Sequence, residues 1–447
     1  MNDVIASRFG NCLDPEKIRQ FVTVRPEPVS SLAGLQSAIG AEILGDAWKR
    51  IYLPNQFSLQ FIDEIIGRAR LHFSDLFKNE VENRAKVYTP PEVDVAPICL
   101  TGLAGVGKSC TLEALRKVMP PPAEFYSDHF AGQVTLVSHW YASAREKISG
   151  KSLLSEFIFS DAKSLGGYQR RFIEEARRRA NRDGVSLVLL DETQYINTGL
   201  GVAKITDILL TLASIGPPAV YVCNYSLVHK LFGRNSEDKQ RLLSQPRVML
   251  PDLPGSKDWT DYVDECVRVS DGAIRPGSGD FAAELYRCTF GIKRLSVQLL
   301  KQAYIECRND RRYWVELRDL SRAYRSAAYT SNASEVEELQ TQALGSRQSK
   351  LRLDLKCPFE LPAAYRTNVV EFARAERDQR VISKVFDSSL TEAERSAKKQ
   401  LEDGTEIVVK KPSRRLAAKK LSKDEQAKAY FDRLDLVTQP HMPKKPS

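Results

Sequence analysis

Five short apolar runs punctuate the middle of the chain, at residues 97–101, 134–138, 185–190, 218–223 and 247–250, each of a length that suits a buried strand better than a helix. The stretches between them are long enough for crossover helices, and one carries Ile205, Ile208, Leu209, Leu212 and Ile215 at helical spacing. Strands alternating with helices predict a parallel α/β layer. After Asp252-Leu253-Pro254-Gly255 the periodicity becomes purely helical, with segments expected at 259–269, 281–289, 292–307 and 313–325. Upstream, residues to about Ser37 are polar and Pro-rich and read as an extended arm. Phe57, Phe61, Ile62, Ile65, Ile66 and Ala69 then mark a helix, and Pro90-Pro91 reads as a linker. Beyond about 330 the pattern weakens, with short helices expected at 365–375 and 424–434. Four regions result: 1–90, 91–254, 255–329 and 330–447.

The first strand runs directly into Gly102-Leu103-Ala104-Gly105-Val106-Gly107-Lys108-Ser109, a complete G-x-x-x-x-G-K-[ST] loop. Glycines let consecutive backbone N–H groups point at phosphate oxygens, and the following helix adds its positive end. Lys108 is placed to reach the β and γ phosphates of a nucleotide, Ser109 to ligate Mg²⁺, and Cys110 completes the candidate binding segment. A second Gly-Lys-Ser, at 150–152, lacks the leading Gly and a preceding apolar strand.

The third strand ends in Asp191-Glu192, where a parallel sheet presents acidic residues at its carboxyl edge. Asp191 is expected at the Mg²⁺ and Glu192 as general base toward an attacking water, a role worth about 10²–10⁴ in rate. With another strand between loop and acidic pair, the order predicts an ATPase of the additional-strand type.

Composition adds limits. At 447 residues the chain predicts two or three domains, and its 42% hydrophobic and 28% charged residues fit a globular protein. No apolar run reaches membrane-span length, and the first residues lack a basic region followed by an apolar one, which argues against secretion. Eight scattered cysteines without a C-x-x-C pair fit a reducing cytoplasm and no metal cluster. A net charge of +9 favours an anionic partner. Basic residues gather at Arg170, Arg171, Arg177, Arg178, Arg179 and Arg182, where Glu174 and Glu175 fit a solvated helix face equally well. They gather again in 410–420, beside Pro412, as in an exposed arm.

The order of phosphate loop, acidic strand, polar strand end and helical lid resembles an AAA+ ATPase. Within that class Asp191-Glu192-Thr193-Gln194, the run 215–224, the run 245–251 and Phe290-Gly291-Ile292-Lys293-Arg294 are similar to the target-selection ATPases of heteromeric transposons, the TnsC and TniB proteins. The resemblance covers about residues 45–325. It implies an AAA+ P-loop sheet sandwich with a helical lid, a mostly helical N-terminal segment, and a basic C-terminal extension disordered in part until bound. It further implies ATP and Mg²⁺ as cofactors, and duplex DNA, transposase subunits, a TniQ- or TnsD-like target selector and further copies of the chain as partners. Among site residues it implies Asn224 as the sensor at a strand end and Arg294 as the second sensor in the lid. Arg247, just before the last strand, is favoured as arginine finger over Arg241. A signalling or defence ATPase of the STAND kind, without DNA, is the alternative; a small-molecule kinase fits poorly because the lid is helical and appended.

Overall fold

The computed structural model describes residues 3–10, 14–93, 95–126, 133–146, 169–196, 201–345 and 352–402. Residues Met1–Ile382 form one compact unit and Ser383–Ser447 a second. The first contains helices α1 (Asp3–Ser7), α2 (Pro15–Val22), α3 (Ser37–Arg50), α4 (Gln56–Leu76) and α5 (Glu80–Tyr88) ahead of the first strand, β1 (Ile98–Gly102). Next come α6 (Lys108–Val118), β2 (Ala123–Tyr126), β3 (Gln133–Leu136), β4 (His139–Ser143), α7 (Gln169–Arg182) and β5 (Leu187–Asp191). The layer is completed by α8 (Gly201–Ala213), β6 (Ala219–Asn224), α9 (Tyr225–Phe232), α10 (Ser236–Leu242) and β7 (Gln245–Met249).

Five strands form a parallel sheet in the order β4-β5-β6-β1-β7. Strand β6 therefore lies between the phosphate-loop strand and the acidic strand, the additional-strand arrangement. Strands β1 and β5 are buried along their whole length, as their apolar runs require when helices cover both faces. Strand β7 is an edge, which accommodates Pro246, a residue with no N–H for a second neighbour.

Two expectations are corrected. The run expected as a core strand at 134–138 pairs instead with β2 as an antiparallel ribbon, Val134 opposite Phe125 and Leu136 opposite Ala123. The main-sheet strand beside β5 is β4, whose side chains alternate between buried Trp140 and Ala142 and half-exposed neighbours, as an edge strand does. Arg247 is the third residue of β7, opposite Leu100, and does not precede that strand.

The lid comprises α11 (Lys257–Val269), α12 (Phe281–Thr289), α13 (Lys293–Asn309) and α14 (Leu317–Arg325), close to the helices expected there. Side chains of Ser256 and Asp280 cap α11 and α12. Helix α15 (Thr330–Ala343) and the start of α16 (Ala363–Ser389) follow.

The N-terminal helices share the main cores. Phe61, Ile62, Ile65 and Ile66 of α4 pack in one cluster with Ile98, Leu100, Leu112 and Leu115, while Leu44 and Trp48 of α3 pack with Leu299, Leu300 and Tyr304 of α13. Nor does packing end near residue 329. Val336, Leu339, Leu355 and Val369 belong to the same cluster as β1, and the Phe372 ring meets Tyr286 edge-on at 4.8 Å. In the second unit, α17 (Glu392–Glu402) folds back so that Lys398 pairs with Asp387. The basic segment 410–420 and the helix expected at 424–434 lie outside the described residues.

Candidate nucleotide site

The phosphate loop needs Gly107 at φ 114° to open α6 and Gly105 at φ 85°, backbone geometry that a side chain strains. A Cβ on Gly105 would lie 2.6 Å from Arg294 Cβ, so lid and loop touch there. The contact is reinforced where Arg294 N–H donates to Gly105 O at 3.2 Å. A Cβ on Gly102 would meet Met249 O at 2.4 Å, so β7 fixes glycine at the head of the loop.

Lys108 is buried. Its Nζ donates to the carbonyls of Gly102 and Leu103 at 2.9 and 2.7 Å and to Asn224 Oδ1 at 2.9 Å. Asn224 ends β6 and makes no side-chain cap to α9, so its amide serves the loop lysine and not the turn. Burial pulls the Lys108 ammonium down to about 8; Glu192 and Asp191 act in the opposite direction and Arg294 adds to the fall.

Asp191 is buried at the end of β5, and its Oδ1 accepts the Glu192 N–H at 2.7 Å. Glu192 itself sits at φ 57°, a strained geometry for a residue with a side chain, and this turns its carboxylate away from the strand. That carboxylate accepts a hydrogen bond from Gln194 Nε2 and lies 3.5 Å from Arg145 Nη2. Arg145 also lies over the Tyr195 ring at 5.1 Å.

These groups line one cleft of about 610 Å³. Besides Ala104 to Cys110, Asp191, Glu192, Asn224 and Arg294, its walls include Trp48, Ile51, Tyr52 and Val297, an apolar end, and Lys49, Lys293 and Lys301. Leu103 and Gly102 bound the loop through their carbonyls without lining the cleft. Sequence reading missed Arg145, Lys293 and the α3 contribution. Trp48 lies on α3 and Tyr52 just beyond it, and neither carries a local sign of a ligand role.

Arg247 lies elsewhere. Its Nη2 and Nε meet Glu64 of α4 at 2.6 and 2.8 Å, a two-point pair that raises the arginine and lowers the Glu64 carboxyl from their ordinary values. Arg241, on α10, lies 3.9 Å from Glu237. In the arginine cluster of α7, Arg178 and Arg179 pair with Glu174 and Glu175, Arg182 with Asp183, and Arg177 donates to Ser214 O at 2.7 Å.

Among the described residues no group of three or more His, Cys, Asp or Glu forms a metal cage. Ser109 and Asp191 border a shared recess beside the loop, with Glu113 and Tyr141 also on its wall. Such a sparse oxygen set fits Mg²⁺, which keeps several waters and takes the rest of its ligands from phosphate oxygens. No described helix is long and apolar enough to cross a membrane.

The order β4-β5-β6-β1-β7, with the loop after β1, the acidic pair after β5, Asn224 after β6 and the lid arginine over the loop, decides the architecture. The fold is AAA+. No family model and no curated protein matches the chain. Among solved structures, the Aeropyrum pernix ORC1 protein in complex with DNA is 17% identical with a TM-score of 0.34, over 62% of this chain and 69% of that one. The Thermotoga maritima RuvB Holliday junction branch migration motor is 11% identical with a TM-score of 0.31, over 60% and 74%. Drosophila ORC bound to DNA is 14% identical with a TM-score of 0.32, over 72% and 84%.

Proposed function

We propose that this AAA+ chain is an ATP-hydrolysing regulator of DNA transposition. It assembles on target duplex, links a TniQ- or TnsD-like selector to transposase subunits, and is reset by hydrolysis. The observation that carries the ATPase half is the convergence on one cleft of Lys108, its partner Asn224 and the Asp191-Glu192 pair. The transposition half rests on the resemblance of 191–194, 215–224, 245–251 and 290–294 to TnsC-type proteins.

In this reading Lys108 trades its loop carbonyls for the β and γ phosphates, Ser109 and Asp191 hold Mg²⁺, and Glu192 accepts the proton of the attacking water. The Mg²⁺ offsets charge on the phosphate oxygens. Glu192 must first shed the hydrogen bond from Gln194 and the nearby charge of Arg145, because both favour an idle carboxylate. Asn224 reports the terminal phosphate to Lys108, and Arg294 answers it from the lid. Arg247 acts on a neighbouring subunit's nucleotide, with Arg241 as the alternative donor.

ATP turnover by the purified protein, with and without duplex DNA, tests the ATPase half. Nucleotide binding retained by Glu192→Gln with turnover lowered at least a hundredfold supports it. A folded wild-type chain that binds no ATP contradicts it.

A further inference from the structure

A ring of polar contacts runs beside the nucleotide cleft and closes on Asp252, in the connection between β7 and α11. Thr111 lies three residues beyond Lys108 on α6; its hydroxyl meets Ser58 Oγ at 3.1 Å and accepts from Tyr52 Oη at 3.3 Å. Asn55 caps α4 by accepting from Ser58 N–H at 2.9 Å, and its Nδ2 donates to Asp252 Oδ1 at 2.7 Å. Lys293 Nζ lies 3.3 Å from Asp252 Oδ2. From Lys293 the chain steps to Arg294, whose N–H returns to the loop at Gly105 O.

Asn55, Ser58, Thr111 and Asp252 are all buried, so each contact is made where water competes little. Asp252 does not line the cleft, whereas Lys293 and Arg294 do. The lid's entry is pressed onto the same residue: Gly291, at φ 69°, leaves room for only a hydrogen where a Cβ would meet Asp252 O at 2.9 Å. The carboxylate thus has one neutral donor, one ammonium and a backbone locked against the lid. Removing either charge of such a buried pair leaves the other uncompensated.

We propose that Asp252 is a positioning residue for nucleotide turnover. Through Lys293 it fixes the first turn of α13, and so seats Arg294 against the phosphate loop at Gly105. The inference rests on the ATPase reading and adds to it a residue that acts at a distance from the phosphates.

A double-mutant cycle in the full chain tests it, with ATP KM, kcat and the ratio of ATP to AMP affinity as readouts. Asp252→Asn is expected to raise KM for ATP about tenfold, with a smaller effect on kcat, and to lower the preference for ATP over AMP. Arg294→Ala is expected to do the same, and the double variant to be no worse than Arg294→Ala alone, because Asp252 acts through that arginine. Lys293→Met, which removes the ammonium, is expected to reproduce the rise in KM given by Asp252→Asn, because the two act as one pair. If Asp252→Asn does not fold, Lys293→Met combined with Arg294→Ala carries the same cycle from the more exposed partner. Losses that multiply in the double variant, or equal weakening of ATP and AMP by Asp252→Asn, would overturn the inference while leaving the ATPase reading intact. A wild-type chain without ATP binding would instead overturn that reading.

Discussion

Burial changes the chemistry of Lys108 at the centre of the site. Its ammonium, ordinarily near 10.5, is brought to about 8 by burial. Between those values the folded chain holds a neutral lysine while the unfolded chain remains protonated. The unfolded state then binds more protons, so the penalty for burying the charge is in full force below about 8 and is relieved progressively between there and about 10.5. ATP affinity runs the other way, since the phosphates need the ammonium. Titration calorimetry should therefore find binding steady near pH 7, proton uptake on binding near pH 8, and affinity falling by up to about tenfold per unit above it. Affinity unchanged to pH 9.5 would show that Lys108 does not meet the phosphates. Gly105 couples the loop to the lid. Its φ of 85° and its approach to Arg294 mean that Gly105→Ala costs about 1–2 kcal/mol of backbone strain and pushes the lid from the loop. Thermal unfolding should register the first and a drop in ATP affinity the second. The loop and the acidic pair were legible because each is a contiguous word in the sequence. Arg145, Lys293 and Asp252 were not, because their contacts come from partners between about 40 and 200 positions away, such as Glu192 for Arg145 and Asn55 for Asp252.

At the scale of elements, uninterrupted apolar runs marked β1, β5 and β6 well, since both faces of those strands are covered. Strand β4 escaped because only alternate residues of an edge strand face the core, and its run His139-Trp140-Tyr141-Ala142-Ser143 carries polar residues at the other positions. The packing of residues 330–382 was not legible for a related reason. The few apolar residues there are spaced too sparsely to announce a core of their own, yet Leu355, Val369 and Ala373 complete one built elsewhere. Phe359 meets Phe232 of α9 at 5.5 Å, and His229 Nε2 contacts Lys356 O at 2.8 Å, so this segment holds the helix that follows Asn224. Truncation after Thr330 is accordingly expected to cost several kcal/mol, because each buried aliphatic side chain removed costs about 2–5. Truncation after Ile382 should leave ATP binding and melting temperature near those of the full chain. Differential scanning calorimetry of the two truncations checks this, and equal melting temperatures would refute it. The role proposed for Arg247, on the edge strand β7, depends on that edge meeting another subunit. Arg247→Ala should lower turnover without preventing nucleotide binding, and mixing it with Lys108→Ala protein should restore part of the activity. Lack of rescue in mixtures shown to co-assemble would move the assignment to Arg241.

For the whole molecule, the proposal is that nucleotide occupancy governs assembly on DNA. The net charge of +9 gives an attraction that is independent of sequence, while the α7 arginines contribute less than their number implies because carboxylates already hold Arg177, Arg178, Arg179 and Arg182. The direct measurement is sedimentation and electron microscopy of wild type, Lys108→Ala and Glu192→Gln on random-sequence duplex, in ATP and in ADP, across a salt series. Ordered assemblies are expected on the duplex with ATP that disperse in ADP, persist in Glu192→Gln and are absent in Lys108→Ala, with log affinity falling against log salt by about 0.9 per phosphate contact. Duplex binding of equal strength in ATP and ADP, or ATP-driven assemblies that ignore duplex altogether, would contradict the proposal.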